Sequence, residues 1–193
     1  MGPAAVTLVE GSPFCISGPT GDMEGARPHG LLFRDTRVLC HLDLFVDRAS
    51  IEPLASMTPR PFQGTLVGQR TLVSRSAEGA LIVQRQRRVG IGVREDLRLR
   101  SFGTEASAHE IELLVNAGFA DLFEVKEGRA EKHGPSDAEL VGEGLILHQS
   151  GSLGHGVAVN AADAISTDRG LHFLLPVPPG WLLLGYRSGR AHH

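Results

Sequence analysis

A dense group of polar residues, Arg34-Asp35-Thr36-Arg37, stands directly before a hydrophobic run. If a strand already begins here, Asp35 and Arg37 share one face with Cα atoms about 6.6 Å apart, because side chains alternate along a strand. An arginine and a carboxylate on one face can form several planar hydrogen bonds to the hydroxyl groups of a ligand. The pair could equally form an internal ion pair that holds the start of the strand. The spacing leaves both roles open.

Asp121 and Glu124 form a second candidate group. They interrupt the alternation of the segment before them, which predicts a bulge or a loop. Paired carboxylates hydrolyse glycosides when they stand about 5–5.5 Å or roughly 6.5–9.5 Å apart across a sugar, a geometry that two close neighbours on one loop do not provide. We therefore predict no catalytic residue in this chain. Asp121 and Glu124 are instead expected to accept hydrogen bonds from Arg34 or Arg37.

The histidines and cysteines lack the spacing of a metal site. The chain has nine histidines and two cysteines but no Cys-x-x-Cys or His-x-x-x-His pair. Cys40 and His41 are neighbours on a predicted strand and so project to opposite faces. We predict no metal and no cofactor, and expect Cys15 and Cys40 to be small buried side chains. The Gly-Ile-Gly segment at residues 90–92 joins two predicted strands, which is typical of a hairpin and not of a nucleotide-binding loop.

Charge and hydropathy argue against two classes of partner. The formal net charge is −3, with the basic residues dispersed along the chain, which disfavours nucleic acid. No stretch approaches the roughly 20 consecutive apolar residues of a membrane span, and the N-terminal segment lacks the long apolar run of a signal peptide. We predict no membrane partner and a cytoplasmic location.

The elements that must position these groups are strands, because apolar and polar residues alternate with period two in many segments. A long strand is predicted from Val38 to Asp47. A second strand is predicted from Val93, and one of its faces is apolar apart from a single glutamate: Val93, Glu95, Leu97 and Leu99. Its other face is charged: Arg94, Asp96, Arg98 and Arg100. The next strand, around Ile111, is expected to pair with it as a hairpin, so that Glu110 and Glu112 neutralise those arginines.

Many short strands separated by glycine and proline turns, with no amphipathic helix of 12 or more residues, predict an all-β fold. We expect a large two-sheet antiparallel β-sandwich, supersandwich-like, that forms a single domain over residues 1–190. Residues 191–193 are expected to be a tail or the remnant of a tag. Residues 50–62, with three prolines, are expected to form an irregular connection. Trp181 is expected to lie in the core at a strand start.

Four blocks of sequence have a distinctive order and spacing. They are VEGSPF at residues 9–14, GLLFRDTRVL at residues 30–39, residues 85–99, and AGFADLFEVK at residues 117–126. They resemble the VEGSTF, GLFxRDTRxLS, RxRxVGxGLxExLxL and ADFADLFEVKG blocks of the N-terminal domain that precedes the catalytic module in bacterial glycogen debranching enzyme-like (amylo-α-1,6-glucosidase-like) proteins. Departures include Cys40 where a serine is usual and Asp47-Arg48 in place of an Asp-Gly or Asn-Gly turn.

The resemblance implies a sandwich that rests against a C-terminal barrel of α-helices, in which the acid and base of this glycoside hydrolase reside. The chain is therefore expected to be inactive alone, with the helical catalytic domain of the same protein and an α-glucan as its partners. The residues expected to border the cleft or the domain interface are Arg34, Asp35, Arg37, Asp121 and Glu124. Two alternatives stay open: an independent carbohydrate-binding module, or a structural sandwich that forms a homo-oligomer through Arg94, Arg98 and Arg100.

Overall fold

The computed structural model describes residues 5–71, 80–130, 136–149 and 156–191. Within these residues the backbone forms eighteen strands and one short helix, α1 (Leu122–Lys126). The first nine strands are β1 (Val6–Val9), β2 (Phe14–Ser17), β3 (Gly30–Phe33), β4 (Thr36–Leu39), β5 (His41–Val46), β6 (Ala49–Ser50), β7 (Glu52–Arg60), β8 (Gln63–Thr71) and β9 (Ala80–Val89). The others are β10 (Gly92–Ser101), β11 (Ser107–Asn116), β12 (Ala120–Asp121), β13 (Asp137–Val141), β14 (Gly144–His148), β15 (Gly156–Asn160), β16 (Ile165–Thr167), β17 (Gly170–Val177) and β18 (Gly180–Ala191).

These strands form three antiparallel sheets. An eight-stranded sheet has the order β13-β14-β15-β18-β10-β9-β8-β7. Two five-stranded sheets have the orders β1-β2-β3-β4-β12 and β16-β17-β11-β5-β6. All three contribute buried side chains to one continuous core, for example Leu31, Leu97 and Phe173. The predicted all-β sandwich is confirmed, and one of its two layers consists of two sheets.

The chain passes between the two five-stranded sheets at two adjacent connections. The strand predicted from Val38 to Asp47 divides at Cys40, so that β4 and β5 belong to different sheets. The connection from β11 to β12 runs beside it, and the Cys40 amide donates to the Asn116 carbonyl oxygen at 2.9 Å. Gly118 packs here, because a Cβ at that position would lie 2.9 Å from the Cys40 Cβ. Apolar and polar residues continue to alternate through Cys40, but the strands before and after it pair in different sheets, which the alternation alone does not show.

The burial of β10 follows the predicted alternation, with Glu95 on the buried face and Arg94 on the exposed one. The hairpin at residues 90–92 is confirmed, since β9 and β10 pair across it. Cys15 and Cys40 are both buried and free, also as predicted.

Three predictions about individual elements are wrong. β10 does not pair with β11, because β11 lies in another sheet between β5 and β17, and Glu110 therefore cannot neutralise the arginines of β10. The irregular connection predicted for residues 50–62 is wrong over most of its length, because β7 runs along the edge of the large sheet, where prolines are tolerated, although its pairing with β8 has two register shifts. Trp181 is not in the core, because it starts β18 on the outer face with 51% of its surface exposed.

No helix among the described residues combines the length and the hydropathy that a membrane crossing requires.

Candidate functional site

The structure brings the two predicted groups of polar residues together at one end of the first five-stranded sheet. β12 pairs with β4, so that Asp121 lies opposite Thr36 and Ala120 opposite Arg37. The amide of Leu122 also donates to the carbonyl oxygen of Asp35 at 2.9 Å. We call this region, residues 33–37 with residues 120–126, the β4–α1 edge.

Arg34 and Asp35 occupy an exposed turn between β3 and β4. The backbone of Arg34 has φ 50°, and its guanidinium lies 5.6 Å from the centroid of the Phe33 ring. β4 begins only at Thr36, so the alternation that would place Asp35 and Arg37 on one face does not extend back to residue 35. Asp35 is exposed and Arg37 is buried, and the predicted shared face is wrong.

Arg37 retains only 2% of its surface exposed. Its Nη1 donates to the carbonyl oxygens of Gly25, Arg27 and His29 at 3.1, 3.2 and 3.3 Å. Burial lowers its pKa, because the cation is desolvated, and its Nε has no hydrogen-bond partner. Arg37 therefore holds the loop before β3 and does not present a charge at the surface.

Asp121 and Glu124 form a capping box at the start of α1. The Asp121 carboxylate accepts hydrogen bonds from the amides of Phe123 and Glu124 at 2.7 and 2.8 Å, and the Glu124 carboxylate accepts one from the Asp121 amide at 3.0 Å. The bulge or loop predicted here is thus a single helical turn. These bonds orient both acids along the helix start, side by side, which is not the opposed geometry of a glycosidase pair.

The capping box also holds the backbone that carries an exposed aromatic side chain. Phe123, in the first turn of α1, has 67% of its surface exposed and lies on the same edge as Arg34 and Asp35. β12 has only two residues and is the last strand of its sheet. The β4–α1 edge therefore combines a ring, a guanidinium and carboxylates around a short strand edge, which suits contact with another surface and not proton transfer.

A buried network of charged residues lies at the centre of the sandwich, and the sequence reasoning did not identify it as a site. Glu95 on β10 receives hydrogen bonds from Nε of Arg85 and from Nε of Arg87, the second at 2.6 Å. Arg85 also bonds the Asp22 carboxylate at 2.5 Å and approaches the Tyr186 hydroxyl at 3.4 Å. Glu95 and Arg87 are fully buried. The signal for this network is the glutamate on the apolar face of β10.

The network connects all three sheets. From β9, Arg87 donates to the carbonyl oxygen of Gly21 at 2.7 Å, in the loop between β2 and β3. In the same loop the Asp22 carboxylate accepts a hydrogen bond from the amide of Leu44, on β5, at 3.2 Å. A cation on the large sheet is thereby joined, through one loop, to both smaller sheets.

The electrostatics of the network keep it ionised. Burial alone would raise the pKa of Glu95, but the guanidinium groups of Arg85 and Arg87 outweigh burial and hold that pKa below its ordinary value. Burial, reinforced by the negative charge of Glu95, raises the pKa of the Tyr186 hydroxyl. Glu95 is therefore an anion held between two cations, and it has no role as a proton donor.

Among the described residues, no group of three or more His, Cys, Asp or Glu side chains is arranged to hold a metal ion.

The chain matches the model of a known protein family. The model of a family described as the N-terminal domain of (some) glycogen debranching enzymes matches residues 8–181. A comparison with curated proteins found no match. The matched range includes the β4–α1 edge and, of the buried charge network, Asp22, Arg85, Arg87 and Glu95.

Proposed function

The chain belongs to the family of N-terminal domains of some glycogen debranching enzymes, and from this premise we propose that it is a non-catalytic sandwich that supports a helical catalytic domain and borders its α-glucan cleft. In this proposal the hydrolysis of the glycosidic bond belongs to the helical domain. The β4–α1 edge is the contact region.

The observation that carries the proposal is the exposed Phe123 ring on an edge that also holds Arg34, Asp35 and Asp121. Aromatic side chains and arginines are enriched where protein surfaces meet, and an exposed ring gains free energy when a partner covers it. In this proposal the edge lies beside the helical domain, and ligand clefts commonly form at domain interfaces.

The capping box supports the same role. Asp121 and Glu124 fix the first turn of α1, so that Phe123 is presented by a rigid backbone and little conformational entropy is lost on contact. Of the five predicted residues, Arg37 contributes indirectly, because it holds the loop behind the edge through three carbonyl groups.

The test is association of this chain with the separately expressed helical catalytic domain of the same protein. We expect a complex by isothermal titration, and a higher melting temperature and debranching rate for the helical domain in that complex. Phe123→Ser is expected to weaken association at least about tenfold, because truncation of a hot-spot aromatic at an interface costs about 2 kcal/mol or more.

Leu174→Ser is the matched control, since Leu174 is also 67% exposed but lies on β17 in the other five-stranded sheet. It is expected to leave association unchanged. Equal stability and activity of the helical domain with and without this chain would reject the scaffold role.

A role at the cleft predicts a separate effect. In the associated protein, Arg34→Ala or Asp35→Ala is expected to raise KM for a branched glucan without weakening association, because these side chains would bond the sugar hydroxyls. Unchanged KM in both variants would restrict the edge to domain contact.

An independent carbohydrate-binding module is the second candidate, and the exposure of Trp181 favours it. The Arg100 guanidinium lies 5.4 Å from the centroid of the Trp181 ring and 4.8 Å from the centroid of the Phe102 ring. These three side chains form an exposed aromatic cluster on the outer face of the large sheet. Rings of this kind can stack on the apolar face of a sugar. Titration of the chain alone with maltooligosaccharides separates the two roles: millimolar or tighter binding that Trp181→Ala removes supports the module, and no binding supports the scaffold.

A further inference from the structure

Three arginines stand in one row across the outer face of the eight-stranded sheet. Arg94 on β10 lies directly opposite Arg88 on β9 and opposite Arg187 on β18. The row continues to Asn160 on β15, which is opposite Arg187. Residues directly opposite in antiparallel strands have Cα atoms about 4.5–5.5 Å apart, so the three guanidinium groups share one small region of surface.

Acidic side chains compensate only one arginine of this row. Arg94 bonds the Asp96 carboxylate, from Nη2 to Oδ1, at 3.0 Å. Within the ranges that the structure describes, neither Arg88 nor Arg187 has an acidic group within 4.0 Å. Like charges directly opposite destabilise a sheet. Among the described residues, the Arg94–Asp96 contact therefore offsets only part of the electrostatic cost of the row.

Charged residues on the other layer are arranged differently. Glu110 on β11 lies 2.9 Å from Nε2 of His172 and 3.4 Å from Nε of Arg48. An outward acid in that sheet thus has basic side chains beside it, His172 on β17 and Arg48 in the turn between β5 and β6. The arginine row departs from this pattern on a chain whose net charge is −3.

The row borders an open depression of about 580 Å³. Gly92 and Gly189, which lie opposite each other, leave its floor free of side chains, and Ala158 extends that floor. Gly92 is required by packing, since a Cβ there would lie 2.3 Å from the Ser188 carbonyl oxygen. The volume lies within the range of small-ligand sites.

No acidic residue is among the described residues that line this depression. The exposed side chains that line it and can donate hydrogen bonds are the guanidinium groups of Arg88, Arg94 and Arg187 and the amide of Asn160. With Asp96 counted against Arg94, two positive charges remain uncompensated. The depression thus presents donors and positive charge to whatever enters it.

We propose that this depression binds the phosphate group of a small phosphorylated molecule. A phosphate monoester carries a charge of about −1.5 to −2 at neutral pH, which matches the uncompensated charge. Its oxygens accept the paired N–H groups of guanidinium in two-bond geometry, and several arginines can share one tetrahedral oxyanion. Asn160 stands at the end of the row, where its amide can bond a hydroxyl of the attached molecule.

A second copy of this chain is a poorer occupant. A two-fold symmetric contact places a surface patch against the same patch of the partner, so the arginines of the row would face like charges. An oxyanion, in contrast, relieves the repulsion within the row. The site lies on a different sheet from the β4–α1 edge, so the proposal does not depend on the function proposed above.

The experiment is isothermal titration of the chain with glucose 6-phosphate, inorganic phosphate and glucose at fixed ionic strength. We expect both phosphates to bind with dissociation constants near or below about 1 mM, and glucose to give no binding. Equal affinities for inorganic phosphate and glucose 6-phosphate would indicate that the protein contacts only the phosphate group. Tighter binding of glucose 6-phosphate would indicate that it also contacts the sugar. Either result supports the site.

Arg187→Gln is expected to weaken the binding of glucose 6-phosphate at least about tenfold, because hydrogen bonds to a charged group are strong. Arg98→Gln is the matched control: it removes the same charge from the same outer face of the large sheet, but Arg98, on β10, lies opposite Gln84 and Leu183, outside the depression. It is expected to change affinity less than about twofold. Absence of saturable binding by both phosphates would overturn the proposal, as would equal weakening by the two variants, which would indicate only a general attraction to positive charge.

Discussion

Glu95 is the residue whose environment departs furthest from that of an ordinary surface acid. Its carboxylate is completely buried between the guanidinium groups of Arg85 and Arg87. A buried ion pair gains little net stability when formed, because both partners lose their hydration, but removal of one partner leaves an uncompensated charge. The network therefore makes the fold sensitive to any single substitution within it.

Glu95→Gln is expected to lower the free energy of unfolding by about 3–5 kcal/mol, because it leaves two buried cations without their shared anion. Urea denaturation followed by circular dichroism measures this change. Asp96→Asn, at the next position but on the outer face, is the control and is expected to cost at most about 1 kcal/mol, since its bond to Arg94 is partly exposed. Similar losses in the two variants would contradict the central role of Glu95.

His29 and His41 are expected to titrate on opposite sides of the ordinary histidine pKa of 6.5. Burial lowers the pKa of His29, whose Nδ1 accepts a hydrogen bond from the amide of Glu24 at 3.2 Å. The hydrogen bond to Asp43, at 3.0 Å, raises the pKa of His41. Proton NMR titration of the ring resonances, assigned with His29→Gln and His41→Gln, measures both values.

The two histidines contribute to stability in opposite pH ranges. The contribution of His29 is complete above its unfolded pKa and is lost as the pH falls from there through its lowered folded pKa. That of His41 is complete below the unfolded pKa and is lost as the pH rises through its raised folded pKa. A His41 resonance that titrated below that of His29 would contradict this assignment.

Among the elements, the β5–β6 hairpin carries local backbone strain. Its two turn residues, Asp47 and Arg48, both have positive φ, 50° and 62°, between the paired Val46 and Ala49. A two-residue turn of this kind favours Asn-Gly or Asp-Gly, because only glycine adopts the left-handed conformation without cost at the second position. Asp47 is held by its carboxylate, which accepts the Glu110 amide at 3.0 Å. Arg48 is the strained position.

Arg48→Gly is therefore expected to stabilise the protein by about 0.5–1 kcal/mol and to raise the melting temperature by roughly 1–4 °C. The ion pair that it removes, from Nε of Arg48 to Glu110 at 3.4 Å, involves a side chain that is 83% exposed and contributes little. Arg48→Ala loses the same ion pair but keeps the Cβ, so it separates strain from charge. Scanning calorimetry should give the glycine variant a higher melting temperature than both the alanine variant and the wild type. Equal melting temperatures for the glycine and alanine variants would contradict the strain argument.

At the scale of the whole molecule, the three sheets share one core and one charge network. The loop between β2 and β3 connects Arg85 and Arg87 of the large sheet to Leu44 of the second five-stranded sheet through Asp22. Separation of any sheet would expose apolar surface of the others and break buried ionic hydrogen bonds. The described part of the sandwich is thus expected to unfold as one cooperative unit.

Native-state hydrogen exchange tests this expectation. The slowest amides of β2, β10 and β11, one strand from each sheet, should exchange through the same global opening, with equal opening free energies and equal dependence on denaturant. A markedly lower opening free energy in one sheet would show that the network does not couple the layers.

The sequence by itself determined those features of the protein that depend on short stretches of the chain: the strands, their buried faces and the tight turns. Alternation with period two predicted the strands and placed Glu95 on an apolar face, because successive side chains of an extended chain must point to opposite sides. Glycine at residues 90 and 92 predicted the β9–β10 hairpin. The four blocks between residues 9 and 126 also predicted the family that the chain belongs to.

Only the tertiary structure decided which strands are neighbours. Alternation assigns faces and not pairing partners, so it missed the division of one predicted strand at Cys40 and placed β11 beside β10. The same limit concealed the burial of Arg37 and the row formed by Arg88, Arg94 and Arg187, which are close only because β9, β10 and β18 pair in register. Strand pairing depends on long-range burial and loop closure, and these free energies belong to the whole sandwich and to no single segment.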